Sequence, residues 1–281
     1  MKKILIIGAR GMLGQELMKV FGTDKNYEVV GTDMKDFDIT NKEKVFENIK
    51  NIAPQIVINA AAFTRVDDCE KPEFKDICMK VNGYAVGYIA AVCRELNAVM
   101  IHYSTDYIFF GEKERGYRED EKDFAPLNIY GQSKLLGEQE LLKNTDRFYL
   151  IRTAWLYGKN GKNFVDTMLE LAHKMPELKV VNDQTGSPTY AVDLAKRTKE
   201  ILEGNYPFGV YHITNEGTVS WYDFAKKIFE IAKIDVKVIP VASNEFPRPA
   251  KRPKYSVLVN TKLPKSRKWE EALEEYLLKK I

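Results

Sequence analysis

In the first half of the chain, short and wholly apolar runs alternate with stretches whose apolar residues recur every three or four positions. Residues 4–7 form such a run, and Leu13, Leu17, Val20 and Phe21 give residues 12–21 helical spacing. Residues 28–33 read as a second strand and 42–51 as a second helix. Pro54 precedes residues 56–62, whose continuous apolar character fits a strand covered on both faces. A helix over 76–96, a strand over 98–104, a helix over 129–142 and a strand over 148–155 complete the alternation. This βαβα rhythm predicts an α/β fold, a Rossmann-type doubly wound parallel sheet with right-handed crossovers.

After Trp155 the rhythm loosens. Helices are expected over 163–174, 192–202, 220–233 and 268–280, with Ser220 as an N-cap, and strands at 180–181, 209–214 and 236–240. Pro247, Pro249 and Pro253, interleaved with Arg248, Lys251 and Arg252, make 245–254 an ordered loop over a site rather than a central element. The chain thus divides into a sheet-forming part, residues 1–155, and a smaller part, residues 156–281, some of whose segments return to the sheet or cap its carboxyl edge.

Composition narrows the function classes. The 281 residues carry 43 Lys and Arg against 40 Asp and Glu, a net charge of +3 with no dense basic stripe, which argues against a nucleic-acid binder. The hydrophobic fraction of 44% supports a globular core. Cys69, Cys78 and Cys93 lack a C-x-x-C pair and read as reduced packing thiols in a cytoplasmic protein. His102, His173 and His212 share no ligand spacing, so no metal site is expected. No apolar run reaches the roughly 18–20 residues of a membrane span. The basic start at Lys2 and Lys3 precedes an apolar run too short for a signal peptide, and a buried first strand explains it.

The chemistry begins at Gly8, Gly11 and Gly14, a G-x-x-G-x-x-G between the first strand and first helix. Glycines let backbone approach a pyrophosphate, and the free N–H groups of the following helix meet its charge. Asp33, at the end of the second strand, is placed to accept hydrogen bonds from an adenosine ribose. That carboxylate favours NADH, while Lys35 and Arg10 nearby leave NADPH open.

Tyr130 and Lys134 share one helix face about 6 Å apart along the axis. An ammonium about 5 Å from a phenol would lower its pKa by roughly two units at an effective dielectric near 20. The same spacing recurs at Tyr222–Lys226 and Tyr276–Lys280, which read as solvated helix faces. Only Tyr130 follows a parallel strand ending in hydroxyls, Ser104-Thr105-Asp106, so Thr105 can reach the same crevice.

Together with Asn59-Ala60-Ala61-Ala62, these motifs resemble the extended short-chain dehydrogenase/reductases. Five further stretches sharpen the likeness: 59–67, 102–109, 126–131, 152–157 and 182–189, followed by Arg252-Pro253-x-x-Ser256-x-Leu258. These are similar to the dTDP-4-dehydrorhamnose reductase family over nearly the whole chain. The resemblance implies cofactor contacts from Gly11, Met12, Leu13, Asp33, Asp38, Ile39, Ala62, Phe63, Thr64 and Tyr103, beside Gly8 and Gly14. It implies Tyr130 as the acid, Lys134 on the nicotinamide ribose, and Thr105, Asp106 and Trp155 at a dTDP-sugar substrate. Arg248 and Arg252 read either as partners of a nucleotide diphosphate or as a solvated basic loop. The implied reaction reduces the C4 ketone of dTDP-4-dehydro-6-deoxy-L-mannose to dTDP-L-rhamnose with NADPH or NADH, in a cytoplasmic enzyme for which a homodimer is open.

Two other readings compete. A sugar-nucleotide dehydratase places a second carboxylate after the Thr-Asp pair, where this chain has Tyr107, and an epimerase would retain its NAD. A non-enzymatic subunit similar to the regulatory subunit of methionine adenosyltransferase would leave the substrate-side motifs without a purpose.

Overall fold

The computed structural model describes residues 1–280. Its centre is a six-stranded sheet whose strands lie in the order Gly209–His212 (β10), Phe148–Thr153 (β5), Val99–Thr105 (β4), Ile56–Asn59 (β3), Lys2–Ile7 (β1) and Tyr27–Thr32 (β2), every neighbouring pair parallel. The strands from the first half are β1 (Lys2–Ile7), β2 (Tyr27–Thr32), β3 (Ile56–Asn59), β4 (Val99–Thr105) and β5 (Phe148–Thr153). They alternate with α1 (Met12–Gly22), α2 (Lys42–Ile52), α3 (Pro72–Met79), α4 (Ala85–Glu95) and α5 (Ile129–Asn144).

Strand β1 shows why an unbroken apolar run was the correct signal. Ile4 and Ile6 pack with Leu13, Leu17 and Phe21 of α1, whereas Leu5 and Ile7 pack on the other face with Val45 and Ile49 of α2 and Val86 and Ile89 of α4. Each face needs apolar residues, so alternation disappears. The switch point lies between β1 and β3, since the chain leaves β1 in one direction to β2 and crosses back to β3. A crevice at the carboxyl ends of those strands follows.

The expected helix over 76–96 is interrupted. A π-helical segment, Lys80–Tyr84, joins α3 to α4 and buries Asn82 and Gly83 against α5. The strand expected over 56–62 stops at Asn59, whose side-chain oxygen accepts the Ala61 N–H and turns the chain. The strand expected to reach Trp155 stops at Thr153, because Trp155 adopts a positive φ of 47° that no strand accommodates.

The rest of the chain adds β6 (Leu156–Tyr157), α6 (Phe164–Ala172), β7 (Glu177–Val181), β8 (Thr185–Gly186), β9 (Thr189–Tyr190), α7 (Ala191–Glu203), β10 (Gly209–His212), β11 (Val219–Ser220), α8 (Trp221–Ala232), β12 (Lys237–Val241) and α9 (Trp269–Leu278). The Ser220 hydroxyl caps α8 by accepting the Asp223 N–H. Helix α7 places Leu194, Ala195 and Ile201 in the core shared with α1, and β10 extends the sheet beside β5. The remaining segments build a separate core from Val165, Met168, Leu178, Val180, Phe224, Ile228 and Leu273. Tyr276 belongs to that core and donates to Asp166, so it is no solvated helix face: α9 turns its tyrosine inward and leaves Lys280 outside. Among the described residues, no helix is long and apolar enough to cross a membrane.

Candidate active site

A cavity of about 530 Å³ opens at the carboxyl ends of β1, β3, β4 and β5. At one end Gly11 is the N-cap of α1, which has no side-chain cap and no acidic residue in its first turn. Its N–H groups and partial positive charge are therefore free for an anion. Met12, Leu13, Ala62, Thr64 and Tyr103 line the same cavity, as do Thr105, Asp106, Tyr130, Lys134 and Trp155. Residues separated by as many as 151 positions thus share one crevice, as the switch-point rule requires.

The three glycines serve different ends. A Cβ on Gly14 would lie 2.0 Å from the Gly8 oxygen, and one on Gly8 would lie 2.7 Å from the Ala61 nitrogen. Gly8, at φ +81°, and Gly14 let strand, loop and helix close on each other, while Gly11 alone faces the cavity. Asp33 helps hold this loop, its carboxylate accepting the backbone N–H of Arg10 at 3.1 Å and of Met34 at 2.8 Å.

Other expected cofactor residues lie outside the cavity. Asp38 accepts from Thr40, and Ile39 packs on the core beneath β1. Phe63 is held through its backbone: Asn82 Oδ1 accepts its N–H at 2.8 Å and Asn82 Nδ2 donates to its carbonyl at 3.0 Å. Asn59 and Ser104, both within motifs of the sequence, also border the cavity, as do Thr153, Asn160 and Lys162, to which the sequence assigned no role.

Helix α5 delivers Tyr130 and Lys134. Asn128 caps it, accepting the Gly131 N–H at 2.8 Å, and Glu70 accepts the Ile129 N–H at 2.7 Å. Further along, Glu138 and Arg152 form a buried bidentate pair, Nε–Oε1 3.0 Å and Nη2–Oε2 2.8 Å, that fixes the helix to β5. Lys134 is only 3% exposed and donates to the Tyr103 carbonyl at 2.5 Å. Burial draws its ammonium down to about 8, against the opposing charges of Glu138 and Cys78.

Burial pushes the Tyr130 phenol above its ordinary value, and the Asp106 charge pushes the same way. This reverses the expected lowering by Lys134, whose ammonium is directed to the Tyr103 carbonyl. A phenol so placed stays protonated at neutral pH. The Thr105 hydroxyl accepts the Tyr107 N–H and donates to Asp106 at 2.8 Å. Burial raises the Asp106 carboxyl to about 6 despite hydrogen bonds from Ser256 and Thr105.

Trp155 forms the far wall. Its ring stacks on Trp221 with centroids 3.3 Å apart and planes within 6°. Gly186 permits this, since a Cβ there would meet the Trp155 ring at 2.5 Å. Trp221 faces a second cavity of about 380 Å³, bordered by Asp67, Tyr107, Phe164, Phe246, Arg248 and Arg252. Arg252 lies there and not in the first cavity, donating to Asp67 at 2.5 and 2.9 Å. Burial raises the Asp67 carboxyl, but the Arg252 guanidinium outweighs it and holds Asp67 below the usual range. The proline-rich loop is anchored by Asn128, which donates to the Lys251 carbonyl, and by Ala250, which donates to Asp67.

A family profile described as RmlD substrate binding domain matches residues 1–280. The spore coat polysaccharide biosynthesis protein SpsK of Bacillus subtilis (strain 168) is 41% identical over 281 residues, covering 99% of this chain and 97% of that protein. The crystal structure of a dTDP-4-dehydrorhamnose reductase from Clostridium acetobutylicum superposes with a TM-score of 0.94 at 44% identity, covering 99% and 100% of the two chains. That of a dTDP-4-dehydrorhamnose reductase from Bacillus anthracis str. Ames, in complex with NADP, gives a TM-score of 0.94 at 37% identity and 99% of both chains. Matched by that profile and by these two reductases along almost its whole length, the chain belongs to the dTDP-4-dehydrorhamnose reductase family.

Proposed function

We propose that the two cavities divide one reaction between them, reduction of the C4 ketone of dTDP-4-dehydro-6-deoxy-L-mannose to dTDP-L-rhamnose by NADPH or NADH. The observation that carries this reading is the convergence of Tyr130, Lys134 and Thr105 on a cavity that also reaches the uncapped N-terminus of α1. The free N–H groups of that terminus fit a pyrophosphate, and Gly11, Met12, Leu13, Ala62, Thr64, Tyr103 and Lys134 would hold the dinucleotide. When bound, the reduced nicotinamide supplies the hydride. Gly8, Gly14, Asp33, Asp38, Ile39 and Phe63 support that binding through the loops they hold.

Tyr130 keeps its proton until oxygen charge develops at C4, then donates it to that oxygen. Lys134, charged near neutral pH, orients the ribose and favours the phenolate left behind. Thr105 and Asp106 hydrogen-bond the sugar, and Trp155 closes the wall against water. The second cavity takes the nucleotide: Arg248 and Arg252 neutralise the diphosphate and aromatic rings face the base. In this division residues 1–155, with α7 and β10, hold the dinucleotide, while the remaining segments of 156–281 hold the dTDP moiety. An enzyme with this activity would work in the cytoplasm, and sedimentation decides between a monomer and a homodimer.

The test is NADPH and NADH oxidation with a panel of 4-keto sugar nucleotides. Tyr130→Phe should lose on the order of 10²–10⁴-fold in turnover while still binding both ligands. Silence of the intact protein with every sugar nucleotide would overturn the reading, and full turnover by Tyr130→Phe would remove Tyr130 from the acid role.

A further inference from the structure

Behind the Tyr130–Lys134 pair lies a cluster that the reduction does not use. Cys69, in the turn Asp68–Glu70, and Cys78, in α3, are both fully buried, and their Sγ atoms are 2.7 Å apart. Cys78 Sγ also lies 3.3 Å from Ser133 Oγ, on α5 beside Lys134, and 3.6 Å from Asn82 Nδ2. Asn82 is the residue that clamps the Phe63 backbone at the cavity's edge. The sulfur pair therefore touches both the helix that carries the acid and the loop that borders the dinucleotide cavity.

The two sulfurs are chemically unequal. Contact with Cys69, the hydrogen bond to Ser133, the hydrogen bond from Asn82 and the Lys134 charge draw the Cys78 thiol downward against burial. The Cys69 thiol moves upward, chiefly through its contact with Cys78. Cys78, to which the Asn82 amide donates at 3.6 Å and beside which Lys134 carries its charge, is placed as the attacking sulfur, and Cys69 as its partner. Cys93 lies apart from this cluster on α4, among Ile89, Ala90 and Leu141, and burial raises its thiol.

We propose that Cys69 and Cys78 form a reversible disulfide site, oxidised by a hydroperoxide and reduced by a dithiol, that weakens dinucleotide binding when closed. The Cys78 thiolate attacks a peroxide oxygen, the O–O bond breaks, and the expelled hydroxide takes up a proton. The Cys69 sulfur then attacks the sulfenic sulfur of Cys78, the S–O bond breaks and water leaves. Two thiols and one hydrogen peroxide thus give one disulfide and two waters. Closing the S–S bond turns Cys78 away from Ser133 and Asn82, so the clamp on Phe63 loosens. The pair's own chemistry stands apart from the reaction assigned above; only the coupling to the dinucleotide rests on that reading.

Hydrogen peroxide treatment followed by thiol titration under denaturing conditions tests both parts. One titratable thiol should remain, the mass of the joined cysteine peptides should be about 2 Da below the sum of the two free ones, and dithiothreitol should reverse both. A peptide map should show residue 69 linked to residue 78. The dinucleotide dissociation constant, read by fluorescence, should rise about threefold in the oxidised protein. Peroxide should leave it unchanged in Cys78→Ala, or in Cys69→Ala if the first variant does not fold. Three thiols surviving, or oxygen added to the unlinked peptides that carry residues 69 and 78, overturns the disulfide site. A disulfide form with unaltered dinucleotide affinity overturns the coupling, whatever the enzyme proves to reduce.

Discussion

Lys134 places a charge where the fold is poorly equipped to hold one. The side chain is 3% exposed, and its only hydrogen bond among the described residues is to the Tyr103 carbonyl. The nearest acid on its helix, Glu138, is already engaged by Arg152. Burial accordingly lowers its pKa from 10.5 to about 8. At 1.36 kcal/mol per pKa unit, the gap amounts to about 3 kcal/mol held against folding wherever Lys134 is charged. Because the folded value lies below the unfolded one, the unfolded chain binds more protons between about pH 8 and 10.5. The cost is complete below that window and is relieved as pH rises through it. Lys134→Met removes the charge at similar length and leaves the Tyr103 carbonyl unpaired, a loss of about 1 kcal/mol. The variant should therefore be more stable than the parent by about 2 kcal/mol near neutral pH, and should lose at least about 100-fold in turnover. Urea denaturation of the ligand-free protein across about pH 6.5–10, with turnover measured alongside, reads both effects. A variant no more stable near neutral pH, or a stability gap that stays constant through the window, refutes the reasoning.

Three other outcomes follow from packing and charge. Gly14→Ala puts a Cβ 2.0 Å from the Gly8 oxygen. It should cost about 3 kcal/mol in thermal denaturation, and a near-neutral effect would show that the loop can move aside. Glu138→Gln leaves the Arg152 charge buried, at a cost of about 3–5 kcal/mol. The double change Glu138→Leu with Arg152→Met should recover most of it, and a double variant as unstable as the single one contradicts that. Asp106 titrates near 6 in the folded protein, above its ordinary 3.8. Its contribution to stability is thus present at low pH and lost as pH rises through about 6. Asp106→Asn should abolish both that slope and any change in the KM for the sugar nucleotide across about pH 5–7; a parent KM already flat there argues against a substrate role.

The sequence by itself determined the parallel sheet, because a strand buried on both faces must be apolar throughout, as residues 4–7 and 56–58 are. It also determined the glycine turn, and it singled out Tyr130–Lys134 among three copies of the same spacing, because only that pair follows a strand ending in hydroxyls. These signals are local: residue type and period express them within a few turns of chain. Tertiary structure decided what depends on distant neighbours. Asn59 and Trp155 end their strands through a side-chain bond and a left-handed backbone that no period records. Tyr276 entered a core because α9 packs against α8 and β9, where its ring meets Tyr157 and Tyr190, although its spacing to Lys280 was that of a surface pair. Arg252 found Asp67, 185 positions away, and Cys69 found Cys78. Above all, the proton affinity of the site was set by burial, which raised Tyr130 and lowered Lys134. Desolvation depends on everything packed around a group, and a four-residue spacing carries none of that information.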